Sequence, residues 1–138
     1  MKESEFQQMI LDAFEGDKNI LLFRQNTGGV EREYKGKKRY IPFGTPGQSD
    51  LSGVIAVHHC PFCNRLLEGT FFGIELKSDK GKLSPLQRQW LQRVARYNGI
   101  AMELRPCDVD IVRLRQSIVK LLTGQKCSLC VAKSKMTP

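Results

Sequence analysis

In this 138-residue sequence the residues that most directly suggest chemistry are Asp50, Glu75 and Lys77. Glu75-Leu76-Lys77 closes the apolar run from Thr70 to Leu76, which reads as a strand. Side chains two apart in a strand share a face, so Glu75 and Lys77 point one way while Leu76 turns into the core. A second apolar run, Leu51 to Val57, follows Asp50 directly. If the two runs pair as an antiparallel hairpin turning at Pro61 and Phe62, Asp50 and Glu75 fall within two residues of facing each other. An irregular tip absorbs that slip, and two carboxylates and one ammonium then meet at one end of the sheet. Mg²⁺ takes hard oxygen ligands, often only one or two carboxylates, and keeps several waters. Such an ion, or Mn²⁺ in its place, polarises a phosphoryl oxygen and acidifies a bound water, which is what phosphodiester hydrolysis needs. Lys77 would orient or deprotonate that water, or stabilise charge in the transition state. The plainer reading is an ion pair of Lys77 with Glu75 or Asp50, the kind of contact that contributes little on a surface.

The cysteines suggest a second kind of chemistry. Four of the five form C-x-x-C pairs, Cys60/Cys63 and Cys127/Cys130, and Cys107 stands alone as a small buried residue. The pairs have the ligand spacing of a Cys₄ zinc site, with His58 and His59 as alternative ligands. Asn64 suits the positive φ that such a knuckle often needs. Zinc would fasten the tail, residues 123–138, to the hairpin tip at 60–63. The competing reading is a thiol-redox pair at Cys60-Pro61-Phe62-Cys63, which resembles a glutaredoxin motif. That chemistry wants a helix N-terminus after the first cysteine to lower its pKa, and Asn64 to Gly69 is too short to supply one.

Several elements must position these groups. Phe6, Met9, Ile10, Ala13 and Phe14 recur at helical spacing over Glu3–Phe14, with Ser4 as a cap and Gly16 after its end. Ile20 to Phe23 reads as a short strand. Val30 to Tyr40 is basic and aromatic, a hairpin or an arm. Ser84-Pro85-Leu86-Gln87 starts a helix with a capping serine, an early proline and a glutamine placed to complete a capping box. Its apolar face is Leu86, Trp90, Leu91, Val94 and Ala95. Gly99 ends it, Ile100 to Leu104 forms another strand, and a last helix spans Val109 to Leu122. The order predicts one α/β domain with helices on a central mixed sheet.

Composition narrows the classes. The chain is 41% hydrophobic and 26% charged, which is globular rather than disordered. Its net charge of +8 points to a polyanionic partner. Lys35, Lys37, Lys38 and Arg39 with Tyr34 and Tyr40 are the densest cluster, and Lys80, Lys82 and Arg88 lie near the Glu75 end in the chain. Phosphate contacts from such residues supply affinity without reading sequence; the alternative is a solvated face. With no apolar run long enough to span a bilayer and no signal-like start, the expectation is a soluble intracellular protein with no membrane partner.

Taken together, Gly44-Thr45-Pro46-Gly47-Gln48-Ser49-Asp50-Leu51-Ser52-Gly53, Phe72-Gly73-Ile74-Glu75-Leu76-Lys77-Ser78, Gly81-Lys82-Leu83-Ser84-Pro85-Leu86-Gln87 and the later Gly99 resemble the VRR-NUC nucleases of the PD-(D/E)xK superfamily. The resemblance runs from the first helix to about Arg105, with Ser49 where the superfamily has proline. It implies a restriction-endonuclease-like core over residues 1–122, to which the cysteine site is an addition. It implies Asp50 and Glu75 as ligands of Mg²⁺ or Mn²⁺, Lys77 as the catalytic lysine, and Gln87 as a helix residue facing the site. An acidic residue on the first helix belongs to the pattern; Glu3 fits the spacing best, with Glu5 as the alternative. Arg24 and Asn26 fall in a stretch similar to the family's Arg-x-Asn-Thr-Gly, to touch the substrate or to shape the loop. The implied activity is a DNA endonuclease leaving 5′-phosphate and 3′-hydroxyl ends. Stand-alone relatives resemble Holliday-junction resolvases, which implies branched DNA, a homodimer, and a prokaryotic or phage-infected cell. The alternative function is a zinc-stabilised DNA-binding protein without catalysis.

Overall fold

The computed structural model describes residues 1–25, 28–56 and 58–136. In chain order the elements are α1 (Glu3–Ala13), β1 (Ile20–Arg24), β2 (Gly29–Tyr34), β3 (Lys37–Pro42), β4 (Leu51–Ile55), β5 (Thr70–Leu76), α2 (Pro85–Arg96), β6 (Ile100–Leu104), α3 (Leu114–Thr123) and α4 (Ser128–Met136). Four strands form a mixed sheet in the order β1-β4-β5-β6, antiparallel except for the parallel pair β5–β6. A parallel pair needs a crossover, and α2 supplies it.

Alternation along the strands separates the two faces. Phe72, Ile74 and Leu76 of β5 and Ile100, Met102 and Leu104 of β6 are buried on one side. There they pack with Phe6 and Ile10 of α1 and Leu114, Ile118 and Leu122 of α3 in one core. Those helix positions recur every three or four residues, so each helix turns one stripe inward. The opposite face of β5 carries Phe71, Gly73 and Glu75 and is covered by α2, which contacts β5 and β6. Helices therefore flank the sheet on both sides.

Asp17 ties the first turn to α3. Its carboxylate accepts from the amides of Asn19 and Ile20, at 2.8 and 3.0 Å, and from Arg115 of α3 at 2.7 Å. Burial works against ionisation there, but these amides and the guanidinium outweigh it and hold the carboxyl below its ordinary value.

Val30–Tyr40 is a hairpin. β2 and β3 pair as a separate two-stranded sheet, and every residue of β3 is exposed. It is inserted between β1 and β4 and leaves the main sheet where the Gln25 amide donates to the Asp50 carbonyl at 2.8 Å.

Five local expectations are corrected. Ser4 lies inside α1, whose cap position is Lys2 without a side-chain bond. Leu86 is exposed, because it sits on the outer side of the first turn of α2. The last core helix begins at Leu114, not Val109: Pro106–Asp108 and Ile111–Arg113 form 3₁₀ turns, the second closed by Asp110 accepting from the Val112 amide at 3.1 Å. Cys107 is exposed rather than buried, since its turn is pinned outward by its amide donating to Asp79 at 3.0 Å. The polar tail holds a helix, α4. Among the described residues no helix is long and apolar enough to cross a membrane.

Candidate functional site

The β4–β5 register decides which groups meet. Leu51 pairs with Ile74 and Ile55 with Thr70, so the next step outward places Asp50 opposite Glu75. Asp50 Oδ2 accepts from the Leu76 amide at 2.9 Å, which fixes its carboxylate at the end of β5. Glu75 is only 1% exposed. Its Oε1 accepts from Gln87 Nε2 at 2.5 Å and lies 4.0 Å from Lys77 Nζ. Burial first, then the charge of Asp50, push the Glu75 carboxyl up to about 8, while Lys77 pulls the other way. Two carboxylates forced together in a dry setting favour one bound proton or a cation between them.

Gln87 is positioned by the start of α2. Ser84 Oγ accepts from the Gln87 amide at 3.2 Å, and Gln87 Oε1 accepts from the Ser84 amide at 2.8 Å. One side chain thus completes the capping box with its oxygen and holds Glu75 with its nitrogen. Ser49, fully buried, accepts from Trp90 Nε1 at 3.0 Å and so links the segment before Asp50 to α2. A Cβ on Gly73 would lie 2.5 Å from Ser49 Oγ, so this close approach requires glycine. Sequence reasoning missed the Ser49–Trp90 tie because it assigned Trp90 only to the apolar face of α2. The signal available was a tryptophan N–H that needs a partner when partly buried.

Glu3 reaches the same end of the molecule: its Oε1 accepts from the Ser78 amide at 3.2 Å, one residue beyond Lys77. Glu5 is exposed on α1. Arg24 is exposed and pairs across β1–β4 with Leu51. Asn26 lies outside the described residues. Lys80, Lys82 and Arg88 are exposed on the β5–α2 loop and the first turn of α2. Lys37, Lys38 and Arg39 are exposed along β3, and Lys35 sits at the hairpin turn with its Nζ 5.4 Å from the Tyr34 ring centre.

Glu75 Oε2 is buried without a hydrogen-bond partner among the described residues. An orphaned buried acceptor costs about 1–3 kcal/mol. An all-oxygen pair, with one oxygen unsatisfied, fits a hard divalent cation.

The second cluster lies at the other end of the hairpin. Sγ atoms of Cys60, Cys63, Cys127 and Cys130 all lie within 4.8 Å of one another. Cys63–Cys127 is 3.5 Å and Cys60–Cys130 is 4.0 Å. A tetrahedron of thiolates about 2.3 Å from zinc has edges of roughly 3.8 Å, so the four cysteines could bind a metal ion such as zinc. Asn64 has φ 59°, and its amide donates to the Cys60 carbonyl at 2.9 Å. Burial raises the Cys60 pKa, but the amides of Cys127, Cys63 and Phe62 outweigh it and bring the thiol down to about 6. The thiols of Cys127, Cys63 and Cys60 around Cys130, with burial, push it up to about 12. His58 and His59 are not part of the cluster. A redox role fits poorly: Cys60 is 1% exposed, and an antiparallel bridge between His59 and Leu66 stands where that motif wants a helix.

No protein-family model matches the chain, and no curated protein matches it.

Proposed function

We propose that the chain is a Mg²⁺- or Mn²⁺-dependent DNA endonuclease of the VRR-NUC type, with a restriction-endonuclease-like core. The observation that carries the reading is the meeting of Asp50, Glu75, Lys77 and Gln87 at one sheet end, with a buried Glu75 oxygen left without a donor. The order of α1, three antiparallel strands, α2 and a parallel strand supports the same reading.

Asp50 and Glu75 would hold the metal, which supplies Lewis acidity toward the scissile phosphate and its attacking water. Gln87 keeps Glu75 Oε1 aimed, and the Leu76 amide keeps Asp50 aimed. Lys77, its side chain 14% exposed, would donate from Nζ to the attacking water or to a phosphate oxygen. Glu3 holds the turn at Ser78 that sets the direction of the Lys77 backbone. Arg24, the β2–β3 hairpin and the Lys80–Lys82 loop would neutralise phosphates on either side. Selectivity for branched DNA, a homodimer with two sites, and zinc in the cysteine cluster complete the proposal.

The 4.0 Å approach of Lys77 to Glu75 also favours a second reading, in which the trio is only an ion pair and the protein binds DNA without cutting it. Lys77→Ala separates the two. A catalyst retains DNA affinity and loses cleavage; a binder shows no cleavage with or without the lysine.

A further inference from the structure

A cavity of about 580 Å³ opens on the α2 face of the sheet, at the Thr70 end of β5 and so toward the end of that strand away from Glu75. This is the size range of pockets that enclose a small ring system. Phe71, Trp90 and Tyr97 supply aromatic walls, Arg93 a cation, and Gln48 and Asn98 amides. Tyr97 is 81% exposed, and the Arg93 guanidinium lies 5.8 Å from the Trp90 ring centre. The rim thus presents an exposed ring at Tyr97 and a guanidinium over the ring of Trp90. Together they make faces on which a planar aromatic ring stacks, with amides able to bond its edge.

The cavity and the site are built on two shared elements, with the Ser49–Trp90 hydrogen bond between them. Gln87 and Trp90 are one turn apart on α2, the first on Glu75 and the second on Ser49, next to Asp50. Along β5, Glu75, Gly73 and Phe71 share one face, and a strand rises about 3.3 Å per residue. Phe71, the residue of that face that lines the cavity, therefore lies roughly 13 Å from Glu75, about four steps of ~3.4 Å along one DNA strand. The lining also holds Glu68, so the cation the cavity offers to a phosphate or a ring is Arg93, on a chain of net charge +8.

We propose that this cavity receives an unstacked nucleobase from the strand bound at Asp50 and Glu75, within a few nucleotides of the cut. The inference rests on the nuclease reading and deepens it: the substrate carries unpaired bases near the scissile phosphate, as flaps and single strands do and a fully paired four-way junction does not.

Trp90 is the only tryptophan, so its fluorescence reports on the cavity directly. The full zinc-loaded chain, without added Mg²⁺ or Mn²⁺, is titrated with a short thymidine oligonucleotide, an abasic strand of equal length, and a blunt duplex. The expected result is saturable quenching by the oligonucleotide, with binding weaker by about 10-fold for the abasic strand. Tyr97→Ala and Arg93→Ala, both at exposed positions, should weaken oligonucleotide binding by about 10-fold at unchanged melting temperature. Equal quenching by the abasic strand or by the blunt duplex, or binding without quenching, would overturn the proposal. A parallel cleavage assay with Mg²⁺ keeps the two ideas apart. Cutting without base-dependent quenching sinks the cavity only; base-dependent quenching without cutting supports the cavity and sinks the nuclease.

Discussion

Glu75 is the residue on which the proposed chemistry turns, because a carboxylate this buried is stable only when something shares its charge. Gln87 and Lys77 both approach Oε1, leaving Oε2 to another partner. Gln87→Ala and Ser84→Ala each break the capping box, so each should cost about 1 kcal/mol of stability in a denaturant titration. Only Gln87→Ala also releases Glu75, so it alone should lower cleavage at saturating DNA. Equal activity in the two variants would reduce Gln87 to a cap. The cap is legible in the sequence from Ser-Pro-x-Gln, while Gln87's place facing the site follows only from the resemblance, and the two roles are compatible in one side chain. What is not legible is the contact with Glu75 itself, since that depends on how far α2 tilts over β5. Cys107 shows the opposite case: its small, apolar side chain suggests burial, but the turn that carries it is held outward by Asp79.

Among the elements, the β4–β5 hairpin does most to build the site, and its register follows from the apolar alternation of both strands. The two-residue slip falls in the connection between β4 and β5, where Cys60 and Cys63 turn the chain at 60–64. α4 was not legible. Ser128–Met136 has no apolar stripe, and its position depends on Cys127 and Cys130 meeting Cys60 and Cys63, with Lys126 4.9 Å from the Phe62 ring centre. If zinc holds that cluster, elemental analysis gives one zinc per chain. Cys130→Ser should then lose the metal and about 2 kcal/mol, roughly 6–10 °C in melting temperature. One equivalent of zinc retained by that variant would place the metal elsewhere. At the α1–β1 turn, the stability from Asp17 is present above the ordinary carboxylate value near 3.8 and is lost as pH falls through its lowered folded value. Asp17→Asn should cost about 1 kcal/mol near neutral pH and flatten the acid limb of a pH–melting profile. An unchanged acid limb would mean the Asp17–Arg115 pair contributes nothing.

For the whole molecule, the layout separates two tasks. The Asp50 end of the sheet carries the acidic trio and the root of the basic hairpin, and the opposite end carries the cysteines. A positive charge of +8 suits a long polyanion crossing the first of these ends. The most direct test is a cleavage assay on a four-way junction, a matched linear duplex and a single strand, with Mg²⁺, with Mn²⁺ or without added metal, and with Lys77→Ala alongside. The account predicts metal-dependent cutting, strongest on substrates with unpaired or branched strands. In Lys77→Ala it should fall by about 10²–10³-fold while DNA affinity holds. Tight binding with no cutting by either protein under any metal would contradict it.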